Sequence, residues 1–138
     1  MDNITLEWKK VNNINNVRNF DDTEFYAFTQ NNGLRYIGMA YKQDVADEIR
    51  QTIRNFNYNE DGINIWLGYI NINKSNYERI TEEIVRDVES LLICANTPSD
   101  NTQNINNYSG RDNLKVENLG CSKIKSCQCK NGKIQTKK

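Results

Sequence analysis

Apolar residues recur along this chain with two different periods, and the change from one to the other marks the elements. Near the start, Ile4, Leu6 and Trp8 alternate with polar residues, the two-residue repeat of a half-buried strand. Beyond the loop Asn12-Asn13-Ile14-Asn15-Asn16 come Glu24-Phe25-Tyr26-Ala27-Phe28-Thr29-Gln30, the turn Asn31-Asn32-Gly33, and Leu34-Arg35-Tyr36-Ile37-Gly38-Met39. Aromatic and branched residues on both sides of a glycine-containing turn predict a β-hairpin. A two-residue Asn32-Gly33 loop would set Tyr26 and Tyr36 on opposite faces. A three-residue loop with Gly33 in the left-handed conformation instead pairs Gln30 with Leu34, Phe28 with Tyr36 and Tyr26 with Gly38. The second register is preferred, because it alone gathers Phe25, Ala27, Ile37 and Met39 into an apolar core face and leaves both tyrosines on the other. Gly38, opposite Tyr26, then leaves a gap that a substrate backbone could approach.

The helical period follows. Val45, Ile49, Ile53 and Phe56 form one stripe and predict a helix over residues 44–56. Asp61-Gly62 turns into a third strand over residues 63–70. A second helix is expected from residue 75 or 76 to residue 95, with Ile80, Ile84, Val88, Leu91, Leu92 and Ala95 as its buried stripe and Pro98 barring continuation. Residues 113–118 could add a short edge strand. No internal repeat is evident.

A chain of 138 residues has room for one core. The expected organisation is a single domain over residues 1–118 followed by a lysine-rich flexible tail over residues 119–138. The hydrophobic share is 37%, and the asparagine-rich connections read as loops rather than as a disordered chain, because apolar runs recur between them. No run approaches the roughly 20 apolar residues of a membrane span, and Met1-Asp2-Asn3 lacks the basic-then-apolar layout of a signal peptide. The expected compartment is the cytoplasm, with no membrane partner. The net charge is zero, yet after Leu119 the charged residues are all lysine: Lys123, Lys125, Lys130, Lys133, Lys137 and Lys138. The body is therefore net acidic, and the basic end either reaches for nucleic-acid phosphates or is merely solvated. A cytoplasmic chain keeps Cys94, Cys121, Cys127 and Cys129 reduced. Tail zinc binding is the alternative to three exposed thiols, although paired spacing and a fourth ligand are missing.

There is no histidine, which excludes a histidine base or ligand. On helical geometry Glu89 shares an i, i+4, i+8 row with Val85 and Ile93, so its carboxylate emerges at the margin of the apolar face. A salt bridge to Arg86 and a divalent cation are both open to it. Two tyrosines on one sheet face pack well in their own right. Tyrosine becomes a base near neutral pH only with a cation or a metal-bound water at hand.

Glu24-Phe25-Tyr26, with Glu24 in place of the family's usual glycine, followed by Tyr36-Ile37-Gly38, then Val88-Glu89-Ser90-Leu91-Leu92-Ile93 and Pro98-Ser99-Asp100-Asn101, resembles the GIY-YIG nuclease superfamily in order and spacing over about residues 25–101. The resemblance implies an α/β (α+β) fold: a small, mainly antiparallel sheet of about three strands flanked by helices. It implies hydrolysis of DNA phosphodiester bonds with one Mg2+ or Mn2+ ion and no organic cofactor. Tyr36 would act as general base on the attacking water and Tyr26 would orient it. Glu89 would hold the metal, and Asn101 would shape the site from behind. The family's first-helix arginine stabilises the developing phosphate charge. Here Glu48 stands where that arginine is expected, and Arg50 occupies the opposite flank of the helix. The alternative is a catalytically inactive GIY-YIG-like module that binds nucleic acid or protein.

Overall fold

The computed structural model describes residues 1–17 and 23–136; Lys137 and Lys138 of the basic end lie outside them. Among these residues seven strands form one mixed sheet: β1 (Asp2–Val11), β2 (Phe25–Gln30), β3 (Gly33–Met39), β4 (Asn64–Ile70), β5 (Leu114–Leu119), β6 (Cys127–Lys130) and β7 (Lys133–Thr136). Two α-helices accompany them, α1 (Val45–Phe56) and α2 (Glu82–Asn96). The strand order is β3-β2-β4-β1-β5-β6-β7. β1 and β5 run parallel and every other neighbouring pair antiparallel. The expected sheet of about three strands flanked by helices is thus corrected to a mainly β fold with a sheet more than twice as wide.

The width comes from segments whose pattern is easily misread. The stretch expected to trail as a flexible tail instead forms β6 and β7, with Cys121, Cys127 and Cys129 each at most 4% exposed. Cys127, Cys129 and Ile134 alternate with Gln128, Lys130 and Gln135, a two-residue repeat in which cysteine serves as a small hydrophobe. The four cysteines are free. Among the described residues no group of three or more His, Cys, Asp or Glu side chains gathers as metal ligands, so the tail zinc site is not formed.

The hairpin pairs Tyr26 with Gly38 and Phe28 with Tyr36 as expected, but by another route. Asn31 and Asn32, at φ 52° and 64°, make a two-residue turn, and Gly33 pairs with Gln30. The register shifts between Phe28 and Thr29, where a bulge inserts Arg35 and returns the tyrosines to one face. That face is covered. Tyr26 and Phe28 pack with Val45, Ile49 and Ile53 of α1, while Phe25, Ala27 and Ile37 pack on the opposite side with Val85, Val88 and Leu92 of α2. Gly38 leaves no gap for a substrate, because the Tyr26 ring fills it: a Cβ there would lie 2.3 Å from Tyr26 Cζ.

α1 begins where the pattern placed it, with Asp44 Oδ1 accepting from the Ala46 and Asp47 amides at 3.0 and 3.3 Å. α2 begins later than expected, at Glu82, after the Thr81 cap. Ser75 and Asn76 instead bond to β1: Thr5 N donates to Ser75 Oγ at 3.1 Å and Asn76 N to the Asn3 carbonyl at 2.9 Å. Such side chains compete with the helix for backbone partners. No described helix is long and apolar enough to cross a membrane.

Candidate functional site

The chain after α2 returns along the free edge of β3 and closes it. Ser99 N donates to the Leu34 carbonyl at 3.3 Å and Asp100 N to the Arg35 carbonyl at 2.8 Å. Asn101, 7% exposed, then clamps Ile37 from both sides: the Ile37 amide donates to Oδ1 and Nδ2 donates to the Ile37 carbonyl, each at 3.0 Å. An edge strand that would otherwise offer unpaired backbone groups is satisfied here. The bulge residue Arg35 locks the same corner, with Nε 2.9 Å and Nη2 3.3 Å from the two Asp100 carboxylate oxygens. The Tyr58 hydroxyl donates to Asp100 as well.

This corner encloses a cavity of about 240 Å³ lined by Tyr36, Phe56, Glu89 and Asn101, together with Ile37, Ile93 and residues 102–104. Three of the five sequence-predicted site residues, Tyr36, Glu89 and Asn101, are therefore brought together from β3, α2 and the following loop. The Tyr36 ring is wedged between Tyr26, 6.0 Å away and stacked, and Phe56, 5.3 Å away. Asn101 holds the floor, since both ends of its amide are engaged by β3.

Tyr26 is in the core. It is 2% exposed, and its hydroxyl lies 2.8 Å from Thr52 Oγ1. Thr52 donates its own proton to the Glu48 carbonyl at 3.0 Å, so Tyr26 is the donor in that contact. With its proton committed and its phenol pushed far upward by burial and by Tyr36, Tyr26 is poorly suited to orienting a water in this cavity.

Arg50 does not join the site. The Glu48 and Thr52 flank of α1 is the one that meets the tyrosines, as the Tyr26 contact and the influence of the Glu48 charge on both phenols show. At about 100° per residue Arg50 points roughly 160° away from Glu48 around the helix. It is absent from the cavity lining and makes no ion pair among the described residues.

The electrostatics therefore favour a positive ligand. Burial pushes the Glu89 carboxyl from its ordinary 4.5 up to about 7, opposed only by Arg86. Arg86 itself is paired 3.6 Å away with Glu82, so the expected alternative bridge to Glu89 is not formed. The Tyr36 phenol is raised by burial first and by the Glu89 charge next, while the Tyr26 and Thr52 hydroxyls ease it downward. Among the described residues no lysine or arginine lines the cavity. Glu89 shares this lining with Thr102, Gln103 and Asn104, residue types whose carboxylate, hydroxyl and amide oxygens suit a hard divalent cation.

Glu48 was visible in sequence only as a charge in an unexpected place. Thr52, Tyr58, Asp100 and Arg35 were given no role, and Phe56, read as part of the α1 stripe, is 40% exposed at the cavity instead. The one available signal was the i, i+4 spacing of Glu48 and Thr52, which puts them on one flank of α1. Comparison with protein-family models, with curated proteins and with solved structures gives no significant match for this chain.

Proposed function

We propose that the cavity at the β3 edge is the active site of a metal-dependent endonuclease that hydrolyses DNA phosphodiester bonds. The observation that carries this is the convergence of Tyr36, Glu89 and Asn101 on one cavity whose ionisable lining groups, among the described residues, are a desolvated carboxylate and a phenol. Glu89 would hold Mg2+ or Mn2+. Such an ion, when bound, neutralises phosphate charge and makes water acidic enough to attack. Glu89 must be ionised to bind it, so function strengthens as pH rises through about 7. Tyr36 would hydrogen-bond the attacking water through its hydroxyl, and a nearby cation would counter the burial and the Glu89 and Glu48 charges that hold its proton. Asn101 keeps β3 and Tyr36 in place. The thiols stay reduced in the cytoplasm, the compartment this reading assigns.

The position of Glu48 supports a second reading, a binding module without turnover. A carboxylate facing the tyrosines where a phosphate-stabilising cation is needed removes a term typically worth about 10²–10³ in rate and adds repulsion. Conversion of supercoiled plasmid to the nicked form, with Mg2+ and then Mn2+, separates the two. Nicking by the wild type that disappears in Glu89→Ala and in Tyr36→Phe, but persists in Tyr26→Phe, supports the nuclease. No nicking with either ion leaves the binding module.

A further inference from the structure

We propose that the open face of the β5–β6–β7 meander is a docking surface for the phosphate backbone of duplex DNA. This rests on the reading of the chain as a DNA-acting protein, and it concerns a surface separate from the cavity. The register decides which side chains share the face. Leu114, Val116, Cys127, Cys129 and Ile134 turn toward α2 and the core. Lys115, Gln128 and Gln135 form a cross-strand row on the opposite face, and Lys130 and Lys133 stand directly across from each other in the next row.

A cross-strand pair of like charges is destabilising. No carboxylate among the described residues makes an ion pair with Lys115, Lys123, Lys125, Lys130 or Lys133. Residues 114–136 carry those five lysines against the single acid Glu117, while the whole chain is neutral, so the rest of the molecule is net negative. Lys115, Lys130 and Lys133 bring three of these charges to one face of a folded, three-stranded element, which they share with Glu117, while Asp112 accepts from the Gly132 amide at the β6–β7 turn. Beside Lys115 lies a trough of about 290 Å³ lined by Lys115, Ser126, Cys127, Gln128, Gln135 and Thr136. Ammonium, amide and hydroxyl groups of this kind bind phosphate and sugar without reading bases. Gln128 and Gln135 are already aligned, Nε2 to Oε1 at 2.9 Å.

The placement suits a long polyanion. β3, which carries the cavity, and β7 are the two edges of the sheet. Six strand spacings of roughly 4.8 Å put them at most about 29 Å apart, which is about eight base pairs at 3.4 Å each. The acidic cavity cannot attract phosphate by charge on its own, whereas the meander can.

The test is fluorescence anisotropy of a labelled mixed-sequence 20-bp DNA duplex with the full chain, in EDTA, at 50–200 mM NaCl. The Lys115→Gln/Lys130→Gln/Lys133→Gln variant is compared with Lys10→Gln/Lys42→Gln/Arg79→Gln, which removes equal charge elsewhere, and circular dichroism verifies that both fold. Loss of three phosphate contacts should reduce the slope of log affinity against log salt by about 2.7, so that the wild type loses about 40-fold more affinity than the meander variant across that range. The control triple should retain the wild-type slope. Equal slopes in the two triples, or no binding by the wild type at 50 mM, would overturn the proposal. Tighter binding of a double-stranded RNA of the same length would overturn the choice of DNA. Glu89→Ala should bind as the wild type does, so a failure of the nuclease reading shows in plasmid nicking and leaves this measurement intact.

Discussion

Glu89 offers a stability measurement that bears directly on whether the cavity is built to take a cation. In the metal-free protein its carboxyl titrates near 7 rather than at 4.5, because burial penalises the ionised form more than Arg86 relieves it. The folded state therefore holds a proton that the unfolded state has released between those two values. Stability is unaffected below about pH 4.5, falls as pH rises, and carries the full penalty above about 7. A displacement of that size corresponds to on the order of 3 kcal/mol, reduced to about 2 kcal/mol by the water that reaches a half-buried side chain. Glu89→Gln keeps the shape and removes the charge. Urea denaturation of both proteins in EDTA at pH 4.5, 6 and 8 should show the variant gaining about 2 kcal/mol on the wild type over that range. Magnesium added at pH 8 should then stabilise the wild type and leave the glutamine variant unchanged. A difference that stays constant with pH would mean the carboxylate ionises as it does in water, and the electrostatic case for a cation at Glu89 would fail.

Two further substitutions probe the corner around it. Asn101→Ala strips both partners from the Ile37 backbone at an edge strand and should cost about 2–6 kcal/mol in urea denaturation, at one to three per orphaned group; a loss below 1 kcal/mol would mean that water replaces the clamp. Glu48→Arg converts the repelling charge beside the tyrosines into an attracting one and should raise single-turnover nicking by about 10²-fold. An unchanged rate in a folded protein would show that this flank of α1 does not face the scissile phosphate.

The alternation in residues 25–39 was enough to predict that Tyr26 and Tyr36 share a face, because only one register separates apolar from phenolic side chains. The Val45, Ile49, Ile53 stripe was equally sufficient for α1. These are local signals, carried by spacing alone. The turn was misassigned even so: two asparagines can adopt positive φ as glycine does, and a bulge at Arg35 produced the same tyrosine pairing from a shorter loop. Ser75 and Asn76 looked like a helix start, but their partners are on β1, about 70 positions earlier in the chain.

What only the tertiary structure decided are the contacts between distant segments. The parallel pairing of β1 with β5 has no sequence spacing that announces it, and it draws the lysine-rich end into the sheet. Cysteines read as exposed thiols proved to be core residues once β6 packed beneath α2. The rotation of α1 about its axis turned Glu48 and Thr52, not Arg50, toward the tyrosines, because the stripe Val45, Ile49, Ile53 had to face β2 and β4. The spacing of residues fixed which side chains lie on one face of each element; packing decided which of those faces meet, and so which charges the cavity contains.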